Sequence, residues 1–120
     1  MFNTIKTVTD ITSHIRMLFD SDETLQDVWV TGEVSNMRPA SSGHWYFTLK
    51  DGNAQLRCVM WRSNVERQPT TIKDGDKIEA HGAVNVYEPR GEYQLYTDVI
   101  RPVGSGDLYL QFERLKAKLD

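Results

Sequence analysis

The sequence is poor in the features that mark secreted, membrane-bound or disulfide-linked proteins. It has one cysteine, Cys58, so an internal disulfide is excluded, and no apolar run is long enough to cross a membrane. No signal-peptide pattern stands at the start, which predicts a cytoplasmic location. With 120 residues, of which 39% are hydrophobic and 26% charged, the composition is that of one ordinary globular domain with its own core.

Catalytic and metal-binding motifs are missing as well. The three histidines, His14, His44 and His81, fall on different predicted elements and share no ligand spacing with the single cysteine. The sequence shows no nucleophile with a neighbouring base and no phosphate-binding glycine loop. Cys58 falls on the apolar side of a predicted strand, where a buried and unreactive thiol is expected. We therefore predict no catalytic centre, no metal and no cofactor in this chain.

Charge is distributed unevenly along a chain whose net charge is −3. Residues 1–33 carry two basic side chains and six carboxylates, a net of −4, whereas residues 34–68 carry five basic and two acidic side chains, a net of +3. A locally basic surface on an acidic domain is typical of moderate, salt-sensitive binding of a polyanion. The alternative is that acidic and basic side chains are simply scattered.

The hydrophobic pattern predicts a helix at each end of the chain. Apolar residues at helical spacing indicate a helix over Val8–Asp20, capped by Thr9 or Asp10. A second apolar stripe indicates a last helix that still continues at Asp120, which we interpret as the sign of a longer chain. That stripe consists of Leu108, Phe112, Leu115 and Leu119.

Five strands are predicted between the helices, over residues 28–35, 42–51, 54–62, 77–87 and 92–103, with a loop over 36–42. Mid-strand glycines at Gly32 and Gly82 favour a small closed barrel over an open sheet. The predicted fold class is mainly β, a five-stranded Greek-key barrel of the oligonucleotide/oligosaccharide-binding (OB) type. We divide the chain into an N-terminal helical extension (1–25), the barrel (26–104) and the start of a C-terminal helix (105–120).

The second and third predicted strands form a hairpin with two different faces. Because successive strand residues point to opposite sides, one face enters the core with Trp45, Phe47, Leu49, Leu56, Cys58 and Met60. The other face mixes large aromatics with cations. Tyr46 and Trp61 are its best stacking candidates, and the alternative for both is cross-strand packing on an ordinary sheet surface. Trp29, on the first strand, is expected to pack under the N-terminal helix.

The candidate site joins that outer face to the loops 1–2 and 4–5, which are the ligand surface of OB barrels. Each cation there suits a phosphate contact, although alone it would equally suit a solvated surface charge. Arg62 belongs to the site only if the third strand ends at Trp61, and Tyr87 is either a third stacking surface or a core residue. His44 either hydrogen-bonds at the start of the hairpin or touches a phosphate. The predicted nucleic-acid-binding residues are Arg38, His44, Tyr46, Lys50, Arg57, Trp61, Arg62, Tyr87 and Arg90.

Five segments, in order along nearly the whole chain, resemble the N-terminal domain of the exonuclease VII large subunit. They are VWVTGEVSN (28–36), SGHWYFTLKD (42–51), AQLRCVMWR (54–62), YEPRGEYQL (87–95) and LKAKL (115–119). In that family the third strand ends in an aromatic and then a basic residue, which correspond to Trp61 and Arg62.

The resemblance implies that the barrel holds single-stranded DNA for a catalytic domain that follows it in the large subunit. It implies a bacterial nuclease, active in DNA repair and DNA catabolism, that degrades single strands from both ends to short oligonucleotides without requiring a divalent metal. Small subunits would bind a long helical region outside this chain. The family's catalytic residues lie beyond Asp120, so this fragment alone is expected not to be an enzyme.

Two other hypotheses stay open beside the single-stranded DNA-binding module. A protein-interaction barrel would use its exposed aromatics to dock on the nuclease's own domains or subunits. A barrel from an unrelated enzyme would bind RNA or tRNA, and nothing in the sequence reports a preference for either sugar.

Overall fold

The computed structural model of the chain describes residues 5–103, so the helix predicted over 105–120 lies outside the described residues. The helices are α1 (Val8–Asp20), α2 (Glu23–Gln26) and α3 (Arg62–Val65). The strands are β1 (Val28–Pro39), β2 (Trp45–Lys50), β3 (Gln55–Met60), β4 (Lys77–Tyr87) and β5 (Glu92–Pro102). No helix in this part of the chain is long and apolar enough to span a membrane.

The five strands close into a barrel in the order β1-β2-β3-β5-β4. β3 and β5 pair in parallel, whereas the other neighbours, including β4 and β1, pair antiparallel. This order is that of a Greek-key barrel of the OB type, so the predicted fold class is confirmed. Closure places the outer faces of β2, β3 and β5 side by side, which is where the candidate site lies.

The barrel interior is filled by apolar side chains at alternate strand positions. Trp45, Phe47 and Leu49 of β2 are buried, as the alternation predicts, and so are Cys58 and Met60 of β3. Each large side chain buried in this way stabilises the fold by about 1.5–3 kcal/mol relative to an exposed one. β4 contributes the buried residues Ile78, Ala80, Val84 and Val86.

A bulge interrupts the pairing of β4 with β5. His81 faces Val99 and Gly82 faces Thr97, so Asp98 is an extra residue in β5. An extra residue shifts the alternation by one, which turns the following side chains to the other side of the sheet. The phase of β5 therefore changes at Asp98.

The bulge decides which residues of β5 are buried after Asp98 and gives Gly82 its role. Val99, which unbroken alternation would place on the same face as Leu95 and Thr97, is exposed, and Ile100 is buried in its place. At Gly82 a Cβ atom would lie 2.0 Å from the carbonyl oxygen of Tyr96, so only glycine fits against β5 here.

β1 is longer than predicted. Residues 36–39, expected in a loop, continue the strand to Pro39 after an irregularity in register between Ser35 and Arg38. Asn36 has a φ of 53°, in the left-handed region that asparagine tolerates better than most residues. The irregularity redirects the end of β1 toward the candidate site.

α1 begins at a capping box centred on Thr7, so the predicted caps Thr9 and Asp10 are wrong. The Thr7 hydroxyl accepts a hydrogen bond from the Asp10 amide, and the Asp10 carboxylate accepts one from the Thr7 amide, both at 3.0 Å. The helix packs against β4 and α2. Phe19 is partly buried against the barrel core, while the other apolar side chains of α1 stay exposed.

Candidate nucleic-acid interface

A groove of about 670 Å³ runs across the outer face of the barrel. It crosses β2 and β3, between the end of β1 and the β4–β5 turn. This volume is in the range of pockets that hold small ligands, so there is room for a ligand of nucleotide size. Six of the nine predicted residues line this groove: Arg38, Tyr46, Arg57, Trp61, Tyr87 and Arg90.

Three aromatic rings that line the groove, those of Tyr46, Trp61 and Tyr96, form a row with the ring of His44, which lies beside the groove. The ring centre of His44 lies 5.0 Å from that of Trp61 and 6.5 Å from that of Tyr46, with edge-to-face geometry in both pairs. The ring centre of Trp61 lies 6.2 Å from that of Tyr96. Tyr46 and Trp61 remain 44% and 43% exposed. Rings held in this way present flat, accessible faces that suit the stacking of bases.

Val59 forms an apolar floor beneath these rings. Alternation places it on the outer face, yet it is only 2% exposed. Tyr46 is its partner on β2 and Tyr96 its partner on β5, so the two tyrosines stand on either side of it. Side chains at paired positions on one face of a sheet are close neighbours, and Tyr46 nevertheless remains 44% exposed. Cross-strand packing and an exposed stacking surface are therefore compatible here.

Three exposed arginines give the groove positive charge. Arg57, on the outer face of β3, has its Nε 3.9 Å from Oε2 of Glu92. Arg38 and Arg90 form no ion pair within residues 5–103. A guanidinium group offers a planar set of donors that matches phosphate oxygens, so these side chains suit contacts with a nucleic-acid backbone.

Two predicted cations lie outside the groove lining. Lys50, at the end of β2, has its Nζ 3.7 Å from Oε2 of Glu33 on β1. Because β3 ends at Met60, Arg62 becomes the first residue of α3, and its Nε lies 3.0 Å from Oε1 of Glu66. Both cations are engaged with carboxylates at the margin of the site.

His44 also lies outside the lining of the groove. Its contacts position the end of the β2–β3 hairpin. Its Nδ1 accepts a hydrogen bond of 2.8 Å from the backbone amide of Arg62, and its ring packs on Trp61. Of the two roles expected for His44, the structure shows the hydrogen bond. An accepting Nδ1 places the proton of the neutral ring on Nε2.

Seven residues that were not among the predicted nucleic-acid-binding residues also line the groove: Asn36, Phe47, Thr48, Cys58, Val59, Gln94 and Tyr96. Thr48 shares the outer face of β2 with Tyr46, so alternation alone could have found it. Gln94 and Tyr96 lie on the outward side of β5, and they reach the groove only because β5 pairs with β3.

Cys58 lies directly beneath the groove and offers no reactive group. Burial raises the pKa of its thiol to about 12, so the side chain stays protonated and a poor nucleophile. Residues 5–103 contain no group of three or more His, Cys, Asp or Glu side chains that could hold a metal ion. The groups that the groove does offer are aromatic rings suited to stacking and guanidinium groups suited to ion pairing.

A separate cluster surrounds Trp29 on β1, β4 and β5. Trp29 does not pack under α1 as expected: its ring lies 5.0 Å from that of His81, and the guanidinium of Arg101 lies 3.7 Å above it. Nε2 and Nδ1 of His81 lie 2.5 Å and 2.7 Å from carboxylate oxygens of Asp27 and Asp98. Burial lowers the pKa of His81, but the two carboxylates outweigh it and the pKa lies above its ordinary value.

The chain matches a known domain family over most of its length. The model of a family described as an OB-fold nucleic acid binding domain covers residues 6–101. The match includes β1 to β4, all of β5 but its last residue, and every residue that lines the groove.

Curated relatives share sequence with the whole of this chain. It is 46% identical over 120 residues to the exodeoxyribonuclease 7 large subunit of Halothermothrix orenii, covering 100% of this chain and 30% of the relative. With the proteins of the same name from Bacillus subtilis and Pseudomonas aeruginosa the identity is 45% and 43%, covering 94% and 96% of this chain and 25% of each relative. The resemblance predicted from the five segments is confirmed. The chain spans less than a third of the length of these relatives.

Among solved structures, the barrel is similar to a chain of a replication protein A heterotrimer bound to ssDNA. The TM-score is 0.55 at 15% sequence identity, and the match covers 79% of this chain and 73% of that chain. At this identity the likeness shows the fold alone.

Proposed function

The chain belongs to the OB-fold nucleic acid binding family, and on that premise we propose that its groove binds single-stranded DNA. The observation that carries the proposal is the pair of exposed rings, Tyr46 and Trp61, beside the arginines of the groove. Stacked bases and phosphates are the two groups that such a surface contacts. A single strand offers both, whereas in a duplex the bases are already stacked on one another.

The upper limit of the binding free energy is larger for stacking than for charge. One base stacked on an aromatic ring is worth about 1–3 kcal/mol, so Tyr46 and Trp61 together supply about 2–6 kcal/mol. An exposed ion pair is worth only about 0.2–1 kcal/mol, which limits the three arginines to about 3 kcal/mol. Because every base has a flat face, a surface of this kind binds with little sequence preference.

Because the relatives are named exodeoxyribonuclease 7 large subunits, we further propose that this domain belongs to a nuclease. Those large subunits are three to four times as long as this chain, which spans 25–30% of them. In the proposed arrangement this domain holds the strand, and a catalytic domain outside these 120 residues hydrolyses it to short oligonucleotides. Binding of small subunits elsewhere on the large subunit, a role in DNA repair, a cytoplasmic location and the absence of activity in this fragment alone remain predictions.

Fluorescence anisotropy with labelled oligonucleotides tests the proposed ligand. We expect oligothymidylate of about 12 nucleotides, a length within the range of OB-fold sites, to bind at least about tenfold more tightly than a duplex of equal length. The logarithm of affinity should fall against the logarithm of salt with a slope of about −2 or steeper, because each of the three arginines neutralises one phosphate of a single strand and any further cation on the strand adds to the slope.

The same measurement decides between the alternatives. Tighter binding of oligouridylate than of oligothymidylate would overturn the DNA assignment in favour of RNA. Failure to bind any of these nucleic acids, together with salt-independent binding to the rest of the large subunit, would overturn the proposal in favour of a protein-interaction barrel.

A further inference from the structure

A second groove continues from the first beside the β4–β5 turn. It encloses about 460 Å³, and Tyr87 and Tyr96 line both grooves. Its far wall is α1, which contributes Arg16. The two grooves therefore form one path that begins at Tyr46, passes Trp61 and Tyr96, and ends at the N-terminal helix.

The fold of the N-terminal helix holds Arg16 at the end of this path. The capping box at Thr7 fixes the start of α1, and near its end the Asn85 side chain of β4 donates a hydrogen bond of 2.5 Å to Asp20. Nη1 of Arg16 lies 3.2 Å from Oε1 of Glu88 in the β4–β5 turn. The Arg16 side chain remains 49% exposed, so a ligand can reach its charge.

The charge of Arg16 also acts on the ring that joins the two grooves. Burial raises the pKa of the Tyr96 hydroxyl, and the nearby positive charge of Arg16 opposes that rise. A charge close enough to favour a phenolate at Tyr96 also attracts a phosphate placed above that ring.

We propose that Arg16 binds one further phosphate of the single strand, where the path passes Tyr96. In the absence of DNA the Glu88 carboxylate is paired with Arg16, and the phosphate replaces that carboxylate when the strand binds. This inference rests on the proposed single-stranded DNA function. The added subsite takes one nucleotide, with its base against Tyr87 or Tyr96 and its phosphate on Arg16. Because an exposed ion pair is worth at most about 1 kcal/mol, a phosphate can displace the Glu88 carboxylate.

The subsite makes the helical extension part of the binding surface. OB barrels bind through strands and loops, and the charge pattern of the chain gives no hint of a contribution from α1, because residues 1–33 carry a net of −4. Only the packing of α1 on β4 brings its one arginine to the end of the groove.

Binding of a short and a long oligothymidylate by charge-neutral variants tests the subsite. With about 12 nucleotides, Arg16→Gln should weaken binding by up to about fivefold and reduce the salt slope by about 0.7. With about four nucleotides, the length of a small OB site, it should leave binding unchanged. Glu88→Gln should tighten binding of the longer strand by a similar factor, and the double variant should lose that gain.

Lys6→Gln is the matched control, since it removes the same charge from the same N-terminal region at an exposed residue that lines neither groove. Equal losses in Lys6→Gln and Arg16→Gln, or an equal loss for both strand lengths, would overturn the subsite. If Trp61→Ala weakens both strands while Arg16→Gln changes neither, the subsite is wrong and the proposed function stands. If neither strand binds the unaltered chain, the proposed function itself fails.

Discussion

Removal of the Trp61 ring is the sharpest test of the stacking surface. Trp61 is 43% exposed, and its ring touches the rings of His44 and Tyr96. Although it is the N-cap residue of α3, its side chain makes no capping hydrogen bond, so Trp61→Ala removes no cap. We therefore expect the free energy of unfolding to fall by no more than about 1 kcal/mol, which leaves the barrel folded.

The expected loss of affinity follows from the loss of one stacked base. At about 1–3 kcal/mol for the stack, Trp61→Ala should weaken binding of oligothymidylate by about fivefold to about 150-fold. Arg57→Gln removes one exposed charge and should weaken it by no more than about fivefold. The ring should thus matter more than the neighbouring arginine.

Trp29→Ala provides a control of the same size and exposure. Trp29 is 42% exposed but belongs to the His81 cluster and does not line the groove. In an anisotropy titration it should bind within about twofold of the unaltered chain, and Trp61→Phe, which keeps a flat ring, should retain most of the affinity. Circular dichroism of each variant confirms that the barrel is intact.

Two outcomes would refute this reasoning. If folded Trp61→Ala binds as tightly as the unaltered chain, no base stacks on that ring. If Trp29→Ala loses as much affinity as Trp61→Ala, the effect of removing a tryptophan does not depend on the groove.

Two predictions concern stability. The pKa of His81 in the folded chain is raised above its unfolded value of 6.5, so its stabilising contribution is present below that pH and is lost as the pH rises through the folded pKa. Urea unfolding from about pH 5 to about pH 9 should show this decline in the unaltered chain and not in His81→Gln, and parallel profiles would contradict it. Gly82→Ala places a Cβ 2.0 Å from a backbone oxygen and should cost at least about 3 kcal/mol. Gly52→Ala, which meets nothing within 4 Å, should change stability by no more than about 0.5 kcal/mol, and equal urea midpoints for the two variants would contradict the bulge's requirement for glycine.

Local patterns predicted the elements and their faces well. The bounds of α1 (Val8–Asp20) and β4 (Lys77–Tyr87) agree with the structure, because each segment keeps one hydrophobic period from end to end. The same alternation separates the buried Trp45 from the exposed Tyr46. Side-chain direction in a regular strand depends only on position, so it is readable without knowledge of the partner strand.

Features that depend on pairing between distant segments were not predictable in this way. The extra residue Asp98 reverses the alternation in β5, so Val99 is exposed. Tyr96 joins the groove because β5 pairs with β3, and Trp29 packs beside His81 because β1 pairs with β4. In each case the pairing register between two distant strands decides where the side chain lies, and that register cannot be read from a short stretch of sequence.

The distribution of charge along the sequence is a poor guide to the charge that the folded surface presents. Along the sequence, residues 34–68 have a net charge of +3, but three of their cations lie beside glutamates, two of which come from outside that segment. The pairs are Lys50–Glu33, Arg57–Glu92 and Arg62–Glu66.

A phosphate that binds one of these paired cations replaces a carboxylate. The gain in binding free energy is then the difference between two exposed ion pairs, which is small. In the proposed complex Arg38 and Arg90, which have no carboxylate partner within residues 5–103, would bind a phosphate without that exchange. Tyr46 and Trp61 remain 44% and 43% exposed and need no such exchange to stack a base, so these rings distinguish the surface from an ordinary charged one more than its basic residues do.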